Sequence, residues 1–223
     1  HVILPPSGRT LRSGVGISYL MLTLISATHV MVGVFIPLLM QQVYGLRPLV
    51  AGYFGSALAL GWTTASVLTS GWHGRRERMA LVGGPVLMSA AVAALAAGQG
   101  HLPPLGMAVC VAALGLGVGS VSVHLIARAM ALAAPGEETA TSTAIPLVRG
   151  MGMAFGAAIA GATAASAGLR AALTPDDVAR ALAAVYTLTL LAPLGMVMLG
   201  VRLARMSPPT QTTSRTAAPA PDS

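Results

Sequence analysis

Long apolar runs separated by short polar connectors define this chain. Six windows stand out, at residues 15–40, 49–70, 79–98, 105–127, 143–167 and 182–201. Each reaches the roughly 18 residues that a helix needs to cross a hydrocarbon layer. The runs are continuously apolar rather than alternating, which predicts helices and argues against a transmembrane β-barrel. Thr174-Pro175-Asp176-Asp177 reads as a helix start: threonine caps, proline takes the first helical position, and the aspartates face the positive end. The last helix is therefore expected to begin near Pro175, ahead of its apolar window. Pro37 and Pro146 fall inside apolar segments, where a missing N–H frees backbone groups and can kink a helix. The expected fold is all-α, a polytopic membrane protein of six transmembrane helices. Residues 1–14 form a cytoplasmic flank, 15–206 the bundle, and 207–223 a tail rich in Ser, Thr, Pro and Ala that is expected to be disordered.

Composition sharpens this picture by exclusion. Of 223 residues, 55% are hydrophobic and 9% charged, and the mean hydropathy is +0.76. A soluble domain carries about 25% charged residues, so a cytosolic enzyme, a disordered chain and a nucleic-acid-binding domain are all disfavoured. The formal charge of +7 comes from thirteen arginines with no lysine. They are spread between the apolar windows rather than gathered on one face, so nucleic acid is not an expected partner. Their placement gives orientation instead. With both termini cytoplasmic, nine lie inside (Arg9, Arg12, Arg75, Arg76, Arg78, Arg128, Arg202, Arg205, Arg215) and three outside (Arg47, Arg170, Arg180), which satisfies the positive-inside rule. The lone Cys110 cannot form a disulfide within the chain. Residues 1–13 do not read as a signal peptide, and a fragment or the tail half of a longer chain is expected.

Few side chains could carry chemistry inside such a bundle. Arg149 is the one charge within a window, and an ionisable group there is a functional-site candidate. Two readings stand: it snorkels or pairs structurally, or it serves a substrate or gate. His29, near the middle of the first span, is either a neutral hydrogen-bonded residue or a proton carrier. Gln41 and Gln42 end that span and either line a polar route or sit among headgroups. Ser120 and His124 lie four residues apart on one helix face, but no third orienting group accompanies them, so catalysis is not expected. Gly152 and Gly156, followed by Gly161, and Gly115, Gly117 and Gly119 form small-residue faces for close helix packing, or for helices that slide. Gly52, Gly55 and Gly61 do the same in the second window. The turn Gly71-Trp72-His73-Gly74-Arg75-Arg76-Glu77-Arg78 holds arginines on one side, or acts as a latch bridging helix ends. The histidines are scattered and no carboxylate lies in a window, so no metal is expected, and no cofactor either.

In order and spacing these features resemble the C-terminal six-helix half of a major facilitator superfamily transporter, and within it the multidrug:proton antiporter group, whose members often have fourteen helices. The resemblance runs from Leu11 to about Arg205. It rests on Pro37-Leu38-Leu39-Met40-Gln41-Gln42-Val43-Tyr44-Gly45-Leu46-Arg47-Pro48 with Ala51-Gly52, on Arg149, Gly152, Gly156, Ala158 and Gly161, and on Gly115-Leu116-Gly117-Val118-Gly119. The basic turn is a degenerate version of the superfamily's cytoplasmic loop: Gly71, Arg75, Arg76 and Arg78 match, but no aspartate is present.

The resemblance implies two inverted three-helix repeats, with a substrate path between this half and an N-terminal half missing from the chain. It implies that spans one, two, four and five line the path while three and six face lipid. By the same analogy the function is proton-coupled export of small drug-like or amphipathic molecules by alternating access, in a bacterial inner membrane. His29, Gln41, Gln42, Trp62 and Arg149 are expected to border the substrate path, and Gly71, Arg75, Arg76 and Arg78 to act at the cytoplasmic gating loop. Gly115, Gly119, Gly152, Gly156 and Gly161 are expected to pack helices. The carboxylates that carry protons in that group have no counterpart here. The alternative is a complete six-helix scaffold, or a subunit of a larger assembly, with no transport of its own.

Overall fold

A computed structural model of the chain describes residues 5–171 and 174–206. The tail expected to be disordered, 207–223, lies outside the described residues. Eight α-helices follow in order: α1 Gly14–Gly33, α2 Ile36–Gln42, α3 Pro48–Thr69, α4 Arg75–Gly98, α5 Pro104–Ala131, α6 Glu138–Ser166, α7 Pro175–Thr189 and α8 Leu191–Arg205. Short 3-10 turns cover Pro6–Gly8 and Leu169–Ala171, and no strand occurs among the described residues.

Two of the six expected helices are broken. The first divides at Val34–Phe35 because Pro37 has no N–H to give the Gly33 carbonyl, and it restarts as α2. The sixth divides at Leu190, where Pro193 likewise leaves the Thr189 carbonyl without its helical donor. Pro85 and Pro146 stay inside unbroken helices. Helix α7 begins as the sequence predicts. The Thr174 side chain accepts from the Asp177 N–H, the Asp177 carboxylate accepts from the Thr174 N–H at 3.2 Å, and Pro175 opens the helix.

Five segments are long and apolar enough to cross a membrane: Gly14–Gln42, Arg75–Gly98, Pro104–Ala131, Glu138–Ser166 and Pro175–Arg205. The sixth, α3, has the length, with 22 residues, but its Gly, Ser and Thr residues together with Tyr53 and Trp62 dilute its apolar character. Helices α1 and α5 form the centre. Helix α6 packs on α1, α3 on α5, and α4 between α5 and the α7–α8 pair, which returns to α1. The core is aliphatic and rich in methionine, with Ile17, Met21, Leu22, Leu81, Met88, Leu95, Met107 and Leu125 fully buried. Leu60, Val67 and Leu68 on α3 and Met153, Phe155 and Ile159 on α6 remain exposed.

The helix directions gather charge at one end. Eight arginines and three glutamates of the described chain lie where α1, α4 and α6 start and α3, α5 and α8 finish. The opposite end holds Arg47, Arg170, Arg180 and two aspartates. At the basic end the N-terminal flank is docked rather than loose. The Ser7 N–H donates to Glu137 Oε2 at 3.3 Å, the Ser7 hydroxyl donates to the same oxygen, and Tyr19 Oη donates to the Thr141 carbonyl at 3.1 Å. At the other end Tyr44 Oη donates to the Leu102 carbonyl at 2.9 Å and ties α2 to the α4–α5 turn. Burial raises the Tyr44 phenol above its ordinary pKa, against a smaller lowering effect of the Gly100 N–H.

Candidate functional site

Two polar clusters interrupt the apolar bundle. The first joins residues far apart in sequence. Helix α1 brings His29, α3 brings Trp62 and α6 brings Arg149. The His29 and Trp62 rings meet edge to face, 5.5 Å between centroids and 71° between planes. The Arg149 guanidinium carbon lies 5.4 Å from the Trp62 ring centroid, within cation–π range.

Glycine contacts make this meeting possible. A Cβ on Gly115 would strike the Leu58 carbonyl and crowd the Trp62 N–H, and one on Gly119 would strike the Trp62 carbonyl. Helix α3 therefore lies backbone to backbone on α5, and Trp62 is held at that contact. A Cβ on Gly152 would strike the Thr23 carbonyl, and one on Gly156 would crowd Ala27. This brings α6 onto α1, where Thr23 Oγ1 donates to the Val148 carbonyl at 3.2 Å, one residue before Arg149. Gly161 lies on the same helix but faces open space, so it makes no such contact. Gly52 and Gly55 are open as well, whereas Gly61 lies against the Ala112 carbonyl.

Arg149 sits eleven residues into α6, about 16 Å from the helix start at 1.5 Å per residue. That is deeper than its apolar window suggests, because α6 begins at Glu138. Its head group lies over the indole. Beside the cluster a cavity of about 290 Å³ is lined by His29, Gly33, Val34, Gly55, Leu58 and Val111, among others. Gln41 and Gln42 are not part of this group. They lie at the far end, where Gln41 Nε2 donates to the Pro37 carbonyl at 3.1 Å and Gln42 is exposed.

The second cluster lies at the basic end. Arg75, Arg76, Arg78 and Gly71 are all exposed. The neighbouring Glu77 makes the connection instead: its Oε1 accepts from Arg128 Nη1 at 3.0 Å. Arg128 is only 6% exposed, and its Nη2 donates to the Leu203 carbonyl at 3.1 Å and to the Met206 carbonyl. One guanidinium thus joins the starts and ends of α4, α5 and α8, and it caps the negative end of α8. A cavity of about 200 Å³ next to it is lined by Ser70, Trp72, His73, Glu77, His124 and Arg128 among others. Sequence reasoning counted Arg128 only as a topological charge. The available signal was its place four residues after His124, on the face of α5 that turns inward.

Among the described residues, no three His, Cys, Asp or Glu side chains are grouped to hold a metal ion. No protein-family model and no curated protein matches the chain.

Proposed function

We propose that this chain is half of a secondary active transporter of the major facilitator type, in which His29, Trp62 and Arg149 border the substrate route. The observation that carries the reading is the convergence of these three residues from three helices onto one cluster beside a cavity. A guanidinium over an indole deep in an apolar bundle offers both a cation and an aromatic face to a partly polar, partly apolar molecule. The packing pattern also supports it. Exchanging the first three spans (α1–α2, α3, α4) with the last three (α5, α6, α7–α8) converts the α3–α5 contact into the α6–α1 contact and leaves the α1–α5 and α4–α8 contacts in place. That is the relation expected of two inverted repeats.

In this reading the basic end is cytoplasmic, the Glu77–Arg128 pair is the latch at that end, and protons drive export of small amphipathic molecules. A second half, or a second subunit, covers the exposed apolar faces of α3 and α6. Those same exposed faces favour the second reading, a non-transporting six-helix scaffold. The test is Arg149→Ala in the intact gene product, assayed in vesicles for flux of a fluorescent cationic dye under an imposed pH gradient. Flux is expected to fall roughly tenfold or more, with the amount of folded, membrane-inserted protein unchanged. Equal losses of flux and folded protein would reject the functional role of Arg149. An absence of gradient-driven flux in the unaltered protein, across a panel of such dyes, would favour the scaffold.

A further inference from the structure

We propose that the outer groove between α4 and α8 at the basic end binds one anionic phospholipid. The groove has a volume of about 560 Å³, within the range of cavities that hold organic ligands. Its mouth carries Arg75 and Arg78 from the first turn of α4 and Arg205 from the last turn of α8. Its walls are Met79, Val82, Gly83, Val201 and Ala204. Polarity is therefore divided along its length, with three cations at the rim and hydrocarbon below.

None of the three rim arginines has a carboxylate or hydrogen-bond partner among the described residues, in contrast to Arg128, which pairs with Glu77. Three unpaired guanidinium groups around one mouth repel one another, and an anion seated between them relieves that repulsion. The apolar walls choose between anions. Free phosphate has no use for Met79, Val82 or Val201, whereas a phospholipid places its phosphate at the rim and a chain along the walls. Depth agrees: Gly83 lies eight residues beyond Arg75, about 12 Å down the helix at 1.5 Å per residue. The shape has a cause in the sequence. Gly200 lets α8 touch the Leu81 carbonyl directly, and beyond that tight point the side-chain-free surface of Gly83 leaves the wedge open. Nothing lies within 4 Å of where a Gly83 Cβ would be. The inference needs the bundle to sit in a bilayer, but not to transport anything.

The test is native mass spectrometry of the whole chain, purified in detergent and offered equimolar phosphatidylglycerol and phosphatidylcholine. One phosphatidylglycerol is expected to be retained in preference by roughly tenfold. Arg75→Gln/Arg78→Gln/Arg205→Gln should bring the two lipids to parity. Gly83→Leu fills the wedge, keeps every charge, and should lower phosphatidylglycerol retention several-fold. If the triple variant fails to fold by circular dichroism, Arg205→Gln and Gly83→Leu carry the test. Equal retention of the two lipids by the unaltered chain would overturn the proposal, as would selectivity unchanged in both variants. Displacement of the lipid by millimolar inorganic phosphate, with Gly83→Leu behaving as the parent, would reduce the groove to a simple anion site. Any of these results leaves the dye-flux test of Arg149 unaffected.

Discussion

Arg128 shows how far burial changes what one side chain does. An arginine at the end of an apolar helix ordinarily reaches out to water. Here the end of α5 is covered by α4 and α8, and the guanidinium is held by Glu77 and the α8 carbonyls. Arg128→Ala is therefore expected to cost about 3 kcal/mol, because it strands a partly buried carboxylate and uncaps α8. Glu77→Gln, which keeps an acceptor, should cost less. Both are read from thermal unfolding in detergent, and a loss below about 1 kcal/mol for Arg128→Ala would class the pair with surface bridges. Glycines divide in the same way. Gly152→Leu drives a side chain into the Thr23 carbonyl and should cost about 3 kcal/mol. Gly161→Ala meets nothing and should be neutral or stabilise by up to about 1 kcal/mol through helix propensity. The same unfolding assay separates the two. In sequence Gly161 stands nine residues from Gly152, about half a turn around the helix, off the row that Gly152 and Gly156 share. The neighbour, α1, decides which of those two faces is under contact.

At the scale of elements, local chemistry was the legible part. The Thr174–Asp177 box and Pro175 place the start of α7, and the structure has both bonds of that box. Thr174→Ala should lower stability by about 1 kcal/mol, with faster amide exchange over the first turn of α7 as the direct readout. Unchanged exchange there would show that packing, not the cap, holds that turn. The six apolar windows mark where helices lie but not where they end. Helices α4, α5 and α6 run past their windows through Arg75, Arg128 and Glu138, because charged residues continue a helix readily once they reach the interface. Proline position alone did not say which helix divides, since Pro37 and Pro193 accompany breaks while Pro85 and Pro146 sit inside unbroken helices.

For the whole molecule, the proposed reading puts the two ends of the bundle on opposite sides of a bilayer, with the basic end cytoplasmic. In a Cys110→Ala background, Ser142→Cys lies at the basic end and Gln42→Cys at the other, and both positions are exposed. A membrane-impermeant thiol reagent applied to intact cells should label Gln42→Cys alone, and Ser142→Cys should react only after the cells are opened. Labelling of both from outside would break the proposed orientation. The docked flank makes a related point. In the segment read as a cytoplasmic flank, Ser7 is bonded to Glu137, a contact spanning 130 positions that no local pattern encodes.

The sequence by itself determined the apolar helical runs and set one end of the bundle apart from the other. Runs of uncharged residues demand lipid or protein around them, arginine placement sets one end apart, and both follow from free energies that depend on residue type and spacing alone. It also singled out Arg149 and His29, and the resemblance added Trp62 to the same expected path. Only the tertiary structure decided that these three meet, that Gln41 and Gln42 stand apart from them, and that Glu77 and Arg128 form the polar junction at the basic end. The reason is physical. Polar side chains in an apolar bundle are arranged by which helices approach closely enough to bring them together. That approach is set by glycine contacts such as Gly119 on Trp62 and Gly152 on Thr23, which exist only once two distant helices touch.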